Sequence, residues 1–549
     1  MEKLGTPPTT SPAFEKVGRD GLRTPVVGEA GDEHASGDDP KSSTGMKGFT
    51  LLMTVVALAL SMFLTIVATA IPKIEDDFGG IELEGWYGSA FFITLGGFQA
   101  PWGKAYKYLP LKPSFLVSIV LFEVGSLVCG VAPNSVALIV GRAITGLGGA
   151  GISSGAFTII ALSAPAKQRP AYIGILGASY GIAAAVGPLI GGAFTSHVTW
   201  RWCFYINLPI GGLAAVIILL KYQSPPPLPF LKVAWREKLL QMDLPGTVLL
   251  IAALICYVLA LQWGGISRSW RSSTVVGTLV GFGLLLISYA FVQRLQQERA
   301  AMVGRLLRHR NVVMAMIFIN LLAGSFFLLV YYLPIYFQVV SGVSAAESGI
   351  RNLPLILAQS VATVVSGLCV GHVGYPSPFL IFGGALTAIG SGLLYTLDIS
   401  SGAGKWIGYQ ILAGIGIGWC FQVPVVTAQA AVAPEDLPSV TAMVLTVQTI
   451  GGALFVSAGQ SALDNILLKR LSHEASSSGI DPLKVVMTGA TELRASFSSQ
   501  QIPVILMAYM KGLQTAFLIA IVASGIATVV SFACRWRKLH AGSTAAAAA

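Results

Sequence analysis

Two ionisable residues stand inside otherwise apolar stretches: Glu123 in LFEVGSLVCG and Arg142 in LIVGRAITGLGG. A charge in hydrocarbon is costly, so each calls for a reason. Measured back from the tight turn VAPNS at ~1.5 Å per helical residue, Glu123 lies ~15 Å deep and Arg142 ~12 Å, so adjacent antiparallel helices can hold them at one level. Two chemistries fit. Either they are structural, as an ion pair or as an arginine bonded to a neighbouring broken backbone, or Arg142 sets the proton affinity of an exchanging group, for which Glu123 is the candidate.

The other polar residues singled out at membrane depth are neutral. Asn320, Gln338, Gln359, Gln422, Gln429 and Gln448, with Tyr180, Phe326, Tyr331, Tyr332, Tyr336, Trp419 and Phe421, are able to line a cavity for a bulky amphiphile. Tyr180, Asn320, Tyr331, Trp419, Gln422 and Gln448 lead that set; the alternative for any single aromatic is packing or interface anchoring. There is no ring of charges, which argues against an ion channel or a carrier of small, highly charged metabolites. GGFQAPWGKA and SGAGKW lack the spacing of a phosphate-binding loop and the Ser or Thr after its lysine, which excludes ATP hydrolysis. An ion gradient remains as the energy source, and neither a cofactor nor an enzymatic activity is expected. The six cysteines are scattered with no CxxC pair, so neither a disulfide framework nor a metal site is indicated.

The elements that must hold these residues follow from composition. The 549 residues are 54% hydrophobic and only 11% charged, with mean hydropathy +0.72, too apolar for soluble domains of this length. A bilayer core of about 30 Å takes about 20 apolar residues per helix, and fourteen such segments occur, from 50–71 and 87–108 to 438–462 and 512–534. An all-α polytopic membrane protein of 14 transmembrane helices is predicted. Basic residues sit in alternate connections: Lys104, Lys107, Lys112, Lys167, Arg169, Lys221, Lys232, Arg236, Lys238, Arg294, Arg299, Arg305, Arg308, Arg310, Arg535, Arg537 and Lys538 on one side. Only Lys73, Arg201, Arg268, Arg271, Arg351 and Lys405 occupy the short loops of the other. This asymmetry places both termini in the cytoplasm and explains the net charge of +10 by topology, not nucleic acid.

Residues 1–46 are polar and rich in Gly, Pro and Ser, and read as a disordered cytoplasmic tail. A six-helix bundle over 47–221 follows, then a breaker-rich cytoplasmic linker over 222–243, two inserted helices over 244–294, a second six-helix bundle over 295–536 and a tail over 537–549. Residues 464–511 are the one long outer loop, with helix-like pieces around LDNILLKRL and VVMTGATELRASF. With the inserted pair set aside, GRAITGLGGAGISSGAF aligns with LAGIGIGWCFQVPVV, and GASYGIAAAVGPLIGG with VQTIGGALFVSAG. Two parallel halves place a substrate site between them; chance is the rival explanation, because glycine is common in membrane helices. In GASYGIAAAVGPLIGG the residues Gly177, Gly181, Ala184, Pro188 and Gly191 recur every three or four positions, forming a stripe of small residues that invites close helix contact, with Gly187 and Pro188 inviting a kink.

These motifs together resemble the major facilitator superfamily, in its fourteen-helix drug:proton antiporter branch. TIVATAIPKI (65–74) resembles the first-helix motif, GRAITGLGGAG the fourth-helix motif with Arg142 at its arginine, and GASYGIAAAVGPLIGG the fifth-helix antiporter motif; LQWGG and SGIRNLPLI are similar to landmarks of fungal members. Phe63 stands where the first-helix motif usually has Asp. The loop after the second helix reads GKAYKYLPLK, so the resemblance assigns an inner gate to Gly103, Lys104 and Lys107. What it implies is a monomeric plasma-membrane pump with two bundles rocking about one cavity, exporting a drug, toxin or secondary metabolite in exchange for protons. Its partners would be a small amphipathic organic substrate, protons and lipid, with no nucleic acid. The alternative is an importer or vacuolar carrier of a nutrient such as an iron chelate or basic amino acid.

Overall fold

The computed structural model describes residues 84–222, 234–488 and 492–539, together with Ile66, Ala70, Ile71, Lys73, Ile74, Asp77 and Phe78. The expected N-terminal tail, residues 540–549 of the C-terminal one, Phe63 with most of the first apolar segment, and residues 223–233 of the expected linker lie outside the described residues, as do the side chains of Tyr180 and Pro188.

Helix is the only extended regular structure among the described residues. In order come α1 (Glu84–Tyr108), α2 (Leu111–Gly130), α3 (Ser135–Ser163), α4 (Arg169–His197), α5 (Asn207–Lys221), α6 (Leu244–Trp263) and α7 (Ser273–Gln296). They are followed by α8 (Arg310–Ser341), α9 (Leu353–Val373), α10 (Ser377–Tyr395), α11 (Ala403–Cys420), α12 (Leu437–Ser478) and α13 (Ile502–Phe532). Among the described residues, eleven helices, some counted together with a short neighbouring helix, are long and apolar enough to cross a membrane. Their ends follow local chemistry. Asn134 caps α3 by accepting from the Ala137 amide at 2.9 Å, and Ser272 caps α7 through Val275. Gly342 and Gly374, with φ of 66° and 76°, supply the left-handed residue that stops α8 and α9.

Two expected segments change shape. The span at 406–429 is broken: α11 stops at Cys420, and a separate turn of helix, Val423–Gln429, starts after Phe421 and Gln422. Pro424 in its first turn has no amide hydrogen to continue the ladder from α11, which accounts for the break. The expected loop 464–511 is largely helical, because α12 runs on to Ser478 and α13 begins at Ile502, with short helices Pro482–Met487 and Leu493–Ser496 between them.

α1, α2, α3 and α5 pack around one another, with α4 joined to them through α3, and α8 to α13 form a second group. The groups meet along two seams, α1 against α12 and α4 against α9. The internal repeat read from the sequence exchanges these seams, since it maps the α1 segment onto α9 and the α4 segment onto α12. The hairpin α6–α7 lies along the first seam. Ile251 of α6 fills the space over Gly97 of α1, whereas Tyr257 of α6 donates to the Leu454 carbonyl of α12 at 3.0 Å. Asn465 of α12 joins Gly264 and Trp270 at the hairpin's far end, at 3.1 and 3.0 Å. Only Val275 and Gln293 of α7 are buried, as befits a helix that faces lipid.

At the hairpin's base Asp243 is buried and left-handed, with φ 48°. Its carboxylate accepts from the Gly246 amide at 3.0 Å, the Ala301 amide at 2.8 Å and the Gln293 side chain, tying α6, α7 and the following loop together. Asp243→Ala removes all three acceptors from buried donors, and alanine tolerates positive φ poorly. Unfolding of the purified protein should be easier by roughly 1–3 kcal/mol, with Asp243→Asn closer to wild type; a thermal melt of the detergent-solubilised chain checks this.

Candidate functional site

At the lysine-rich end, the α1–α12 seam is closed by charge. Lys107 of α1 pairs with Asp436, just before α12, at 2.8 Å, and both are buried. Arg305 binds the same carboxylate through both guanidinium nitrogens, at 2.8 and 3.1 Å, and reaches Glu298 at 3.2 Å. Lys104 donates to the Glu298 carbonyl. One carboxylate thus takes two cations, which offsets the penalty of burying it. Gly103 makes the approach possible: a Cβ there would fall on Ala442 and on the Pro438 carbonyl. The hydrogen bonds that Asp436 and Glu298 accept raise the pKa of Arg305 further above its already high ordinary value. A group raised on folding adds stability below its unfolded value and loses it only as pH climbs past the folded one, so Arg305 stays charged throughout the physiological range.

The other seam is closed without charge. Gly174 of α4 sits on the Thr363 carbonyl of α9, Gly177 on Thr363 and Gln422, and Gly181 on Ser360 and the Ile356 carbonyl. From the α9 side Gly367 lies on the Pro170 carbonyl and Gly371 on that of Lys167. The small-residue stripe therefore faces the opposite helix group at backbone distance. Gly187 and Gly191 are buried further along α4, which runs unbroken through Pro188 from Arg169 to His197.

Between the seams lies a cavity of about 160 Å³. The first group contributes Phe91, Leu95, Gln99, Ile152, Ala156 and Phe157, and the second Phe326, Phe327, Gln359, Phe421, Gln422 and Gln448. The break before Pro424 is what turns Phe421 and Gln422 into it. Among the described residues, no charged side chain is in the wall. Gln99 accepts from Thr449 at 3.0 Å and Gln359 donates to Thr363 at 3.3 Å, but the side-chain oxygens of Gln422 and Gln448 are buried with no hydrogen-bond partner.

Three expected lining residues lie elsewhere. Asn320 donates to the Val447 carbonyl at 2.9 Å, bracing α8 on α12 beside a separate hollow. Tyr331 is 52% exposed, one turn beyond Phe327, with its ring against Tyr332. Trp419 stacks on Phe379 of α10 with ring centroids 5.7 Å apart. All three were chosen by residue type and depth; Asn320 and Tyr331 share the face of α8 that carries Phe327 but stand about two turns before it and one turn after it, whereas Trp419 turns to α10.

Glu123 and Arg142 are not brought together. Arg142 is buried, its Nε donates to the Tyr87 carbonyl of α1 at 2.6 Å, and its guanidinium lies 4.7 Å from the centre of the Phe91 ring. Glu123 turns the other way, onto Gly211 of α5. The missing signal lay in neighbours, since residues at equal depth on adjacent helices still point in different directions. Sequence reasoning also missed Asp436 and Glu298. An acid in a connection otherwise dominated by basic residues, such as PED at 434–436, is the signal that would have found the first.

Two helix groups around a central cavity, with paired seams and a closed charged end, define a secondary-carrier fold. The solved xylose:proton symporter XylE bound to a bromodeoxyglucose shares it, with a TM-score of 0.59 at 14% identity over 91% of this chain and 98% of that one. So does the human organic anion transporter MFSD10, with a TM-score of 0.53 at 12% identity over 86% and 98%. The family model of the Major Facilitator Superfamily matches residues 53–456, and the chain belongs to that superfamily of membrane transporters. It is 46% identical over 538 residues to the MFS-type transporter grgE of a Penicillium species, covering 97% of this chain and 94% of that one. It is 46% identical over 500 residues to the probable efflux pump gsfJ of Penicillium aethiopicum, covering 90% and 89%. With the MFS-type efflux pump MFS1 of Trichophyton rubrum it shares 40% over 511 residues, covering 92% and 95%.

Two substitutions probe the seams. Gly181→Leu should abolish transport, because the added side chain meets Ser360 and the α9 backbone; transport at wild-type rate would show that the seam opens freely there. Asp436→Asn leaves Lys107 and Arg305 without their carboxylate, so spin labels at Pro110 and Pro434 should give a broader and longer distance distribution than in the parent pair. An unchanged distribution would take the charge cluster out of the closure.

Proposed function

We propose that this chain exports an uncharged or amphipathic organic compound, such as a drug or secondary metabolite, across the plasma membrane in exchange for protons, both termini being cytoplasmic. The observation that carries this reading is the cavity: aromatic and amide side chains from both helix groups converge in a wall whose described residues carry no charge. A carrier of sugars or charged nutrients needs polar or ionic groups throughout its site, whereas an apolar wall favours compounds that partition into lipid. The names of the fungal relatives, two of them efflux pumps, support the outward direction.

In this reading the Lys107–Asp436–Arg305 cluster is the inner gate and the α4–α9 seam is the seal that prevents leak as the groups rock. The arginine lies against Phe91 of the cavity wall and grips the α1 backbone, so it links proton movement to the packing of α1 on α3. Glu123, beside Gly211, is the proton-exchanging candidate in the first group.

Expression in an efflux-deficient host should lower accumulation of an amphipathic dye such as Nile red, and a protonophore should restore it. Arg142→Ala should behave like the empty vector at equal surface expression. Dye accumulation unaffected by the wild-type chain would sink the export claim, and efflux indifferent to the protonophore would remove protons as the driving ion.

A further inference from the structure

Two acids are buried along α12, and their surroundings differ. Asp436, just before the helix, is 4% exposed and holds Lys107 and Arg305. Asp464, far along it, is 6% exposed, and among the described residues no cation pairs with it. The donor that reaches its carboxyl is the side-chain amide of Gln460, at 2.9 and 3.0 Å. Counted from Asp436 at ~1.5 Å per residue, Asp464 stands ~42 Å along α12, past a hydrocarbon core of about 30 Å. It therefore belongs to the cap that α12 and α13 build at the end opposite the lysine-rich gate. We infer that Asp464 is a proton-binding site whose proton locks α12 against α8 and α13, so that this cap tightens in acid and loosens towards neutral pH.

α12 is pressed from two sides here. Gly459 lies on Leu328 and Tyr332 of α8, and Gly512 of α13 lies on the Leu463 carbonyl. The titratable groups facing the carboxyl are the buried phenols Tyr332 of α8 and Tyr509 of α13. The Tyr332 hydroxyl donates to the Val456 carbonyl at 2.9 Å, so its proton does not serve Asp464. The cations of the surrounding elements point elsewhere. Lys484 of the short helix Pro482–Met487 lies 5.5 Å from the centre of the Phe497 ring, and Lys511 of α13 donates to Gln514 at 3.1 Å. Arg268 of the α6–α7 hairpin donates to Thr274 at 3.1 Å, and Lys469 and Arg470 of α12 itself are exposed.

With one amide for two oxygens and no counter-charge, burial disfavours the ionised form and pushes the Asp464 carboxyl up to about 6. Neutral, it stays dry between α8 and α13. Ionised, it needs water, which enters only if α12 parts from a neighbour. Asn465 beside it grips the hairpin through Gly264 and Trp270, so the release extends to α6–α7. A carboxyl raised on folding adds stability below its unfolded value of ~3.9 and loses it as pH rises through the folded one.

The test is hydrogen–deuterium exchange of the full chain in lipid nanodiscs at about pH 5 and about pH 7.5, corrected for intrinsic exchange, a range that spans the folded value. Peptides over 459–472 should be about tenfold better protected in acid, the factor supplied by a carboxyl raised from ~3.9 to about 6. Asp464→Asn keeps the shape of the neutral acid and should be protected at both pH values as the wild type is in acid. If that variant does not reconstitute, Asp464→Ala removes the titrating group in its place and should likewise give protection independent of pH. Peptides of α11, which does not touch α12, should show no such ratio. A wild-type ratio under about threefold, a ratio that persists in the variant, or an equal ratio in α11 overturns the inference.

Discussion

A membrane helix gains little by burying leucine against another helix, because lipid is as apolar as leucine. Two halves that must both adhere and move are therefore held where side chains are smallest and backbones come closest. Here that constraint is met along α4 and α9, where Gly174, Gly177, Gly181 and Gly367 each sit on the opposite helix and Gly371 on the Lys167 carbonyl just before α4. It is met again at Gly103 on α1, beneath Ala442 and Pro438 of α12. Everything else in the middle of the molecule follows from these two approaches, since the cavity is the space left between them.

The seams are closed by different physics. The glycine seam relies on shape alone and presents no titratable group among the contacts described. The α1–α12 seam adds a buried carboxylate with two cations, and such a group is strongly disfavoured if it loses its partners in a dry environment. Opening at that end must bring water to Lys107 and Asp436 together, Arg305 being half-exposed already. The charge cluster thus favours an abrupt transition over gradual loosening.

Much of this was legible in the sequence, and the parts that were not share a cause. Hydropathy located the helices, because lipid imposes their length. The spacing of Gly177 and Gly181 showed a face of small residues, because a helical repeat projects directly onto contact. Cavity membership was harder. Asn320 and Tyr331 share a face of α8 with Phe327 of the cavity wall, and how far along that face the wall extends, like the turn of Trp419 towards α10, is set only by how the helices pack. The Lys107–Asp436 pair joins residues 329 positions apart, and no local pattern announces such a contact. The break at Phe421 and Gln422 was hidden for another reason: Pro424 marked a discontinuity, but only the fold shows that the discontinuity opens onto the cavity.

That break separates two tasks that a continuous helix would bind together. Irregular backbone at membrane depth is tolerated where it lines a cavity, and there α11 and the Val423–Gln429 helix each end on their own hydrogen bonds. Phe421 closes the ladder of α11 by donating to the Ile417 carbonyl and Gln422 precedes the next helix, and both line the cavity. Drift at these two positions alters what is recognised without disturbing the helices on either side, so the carrier's repertoire is free to evolve while its architecture stays fixed.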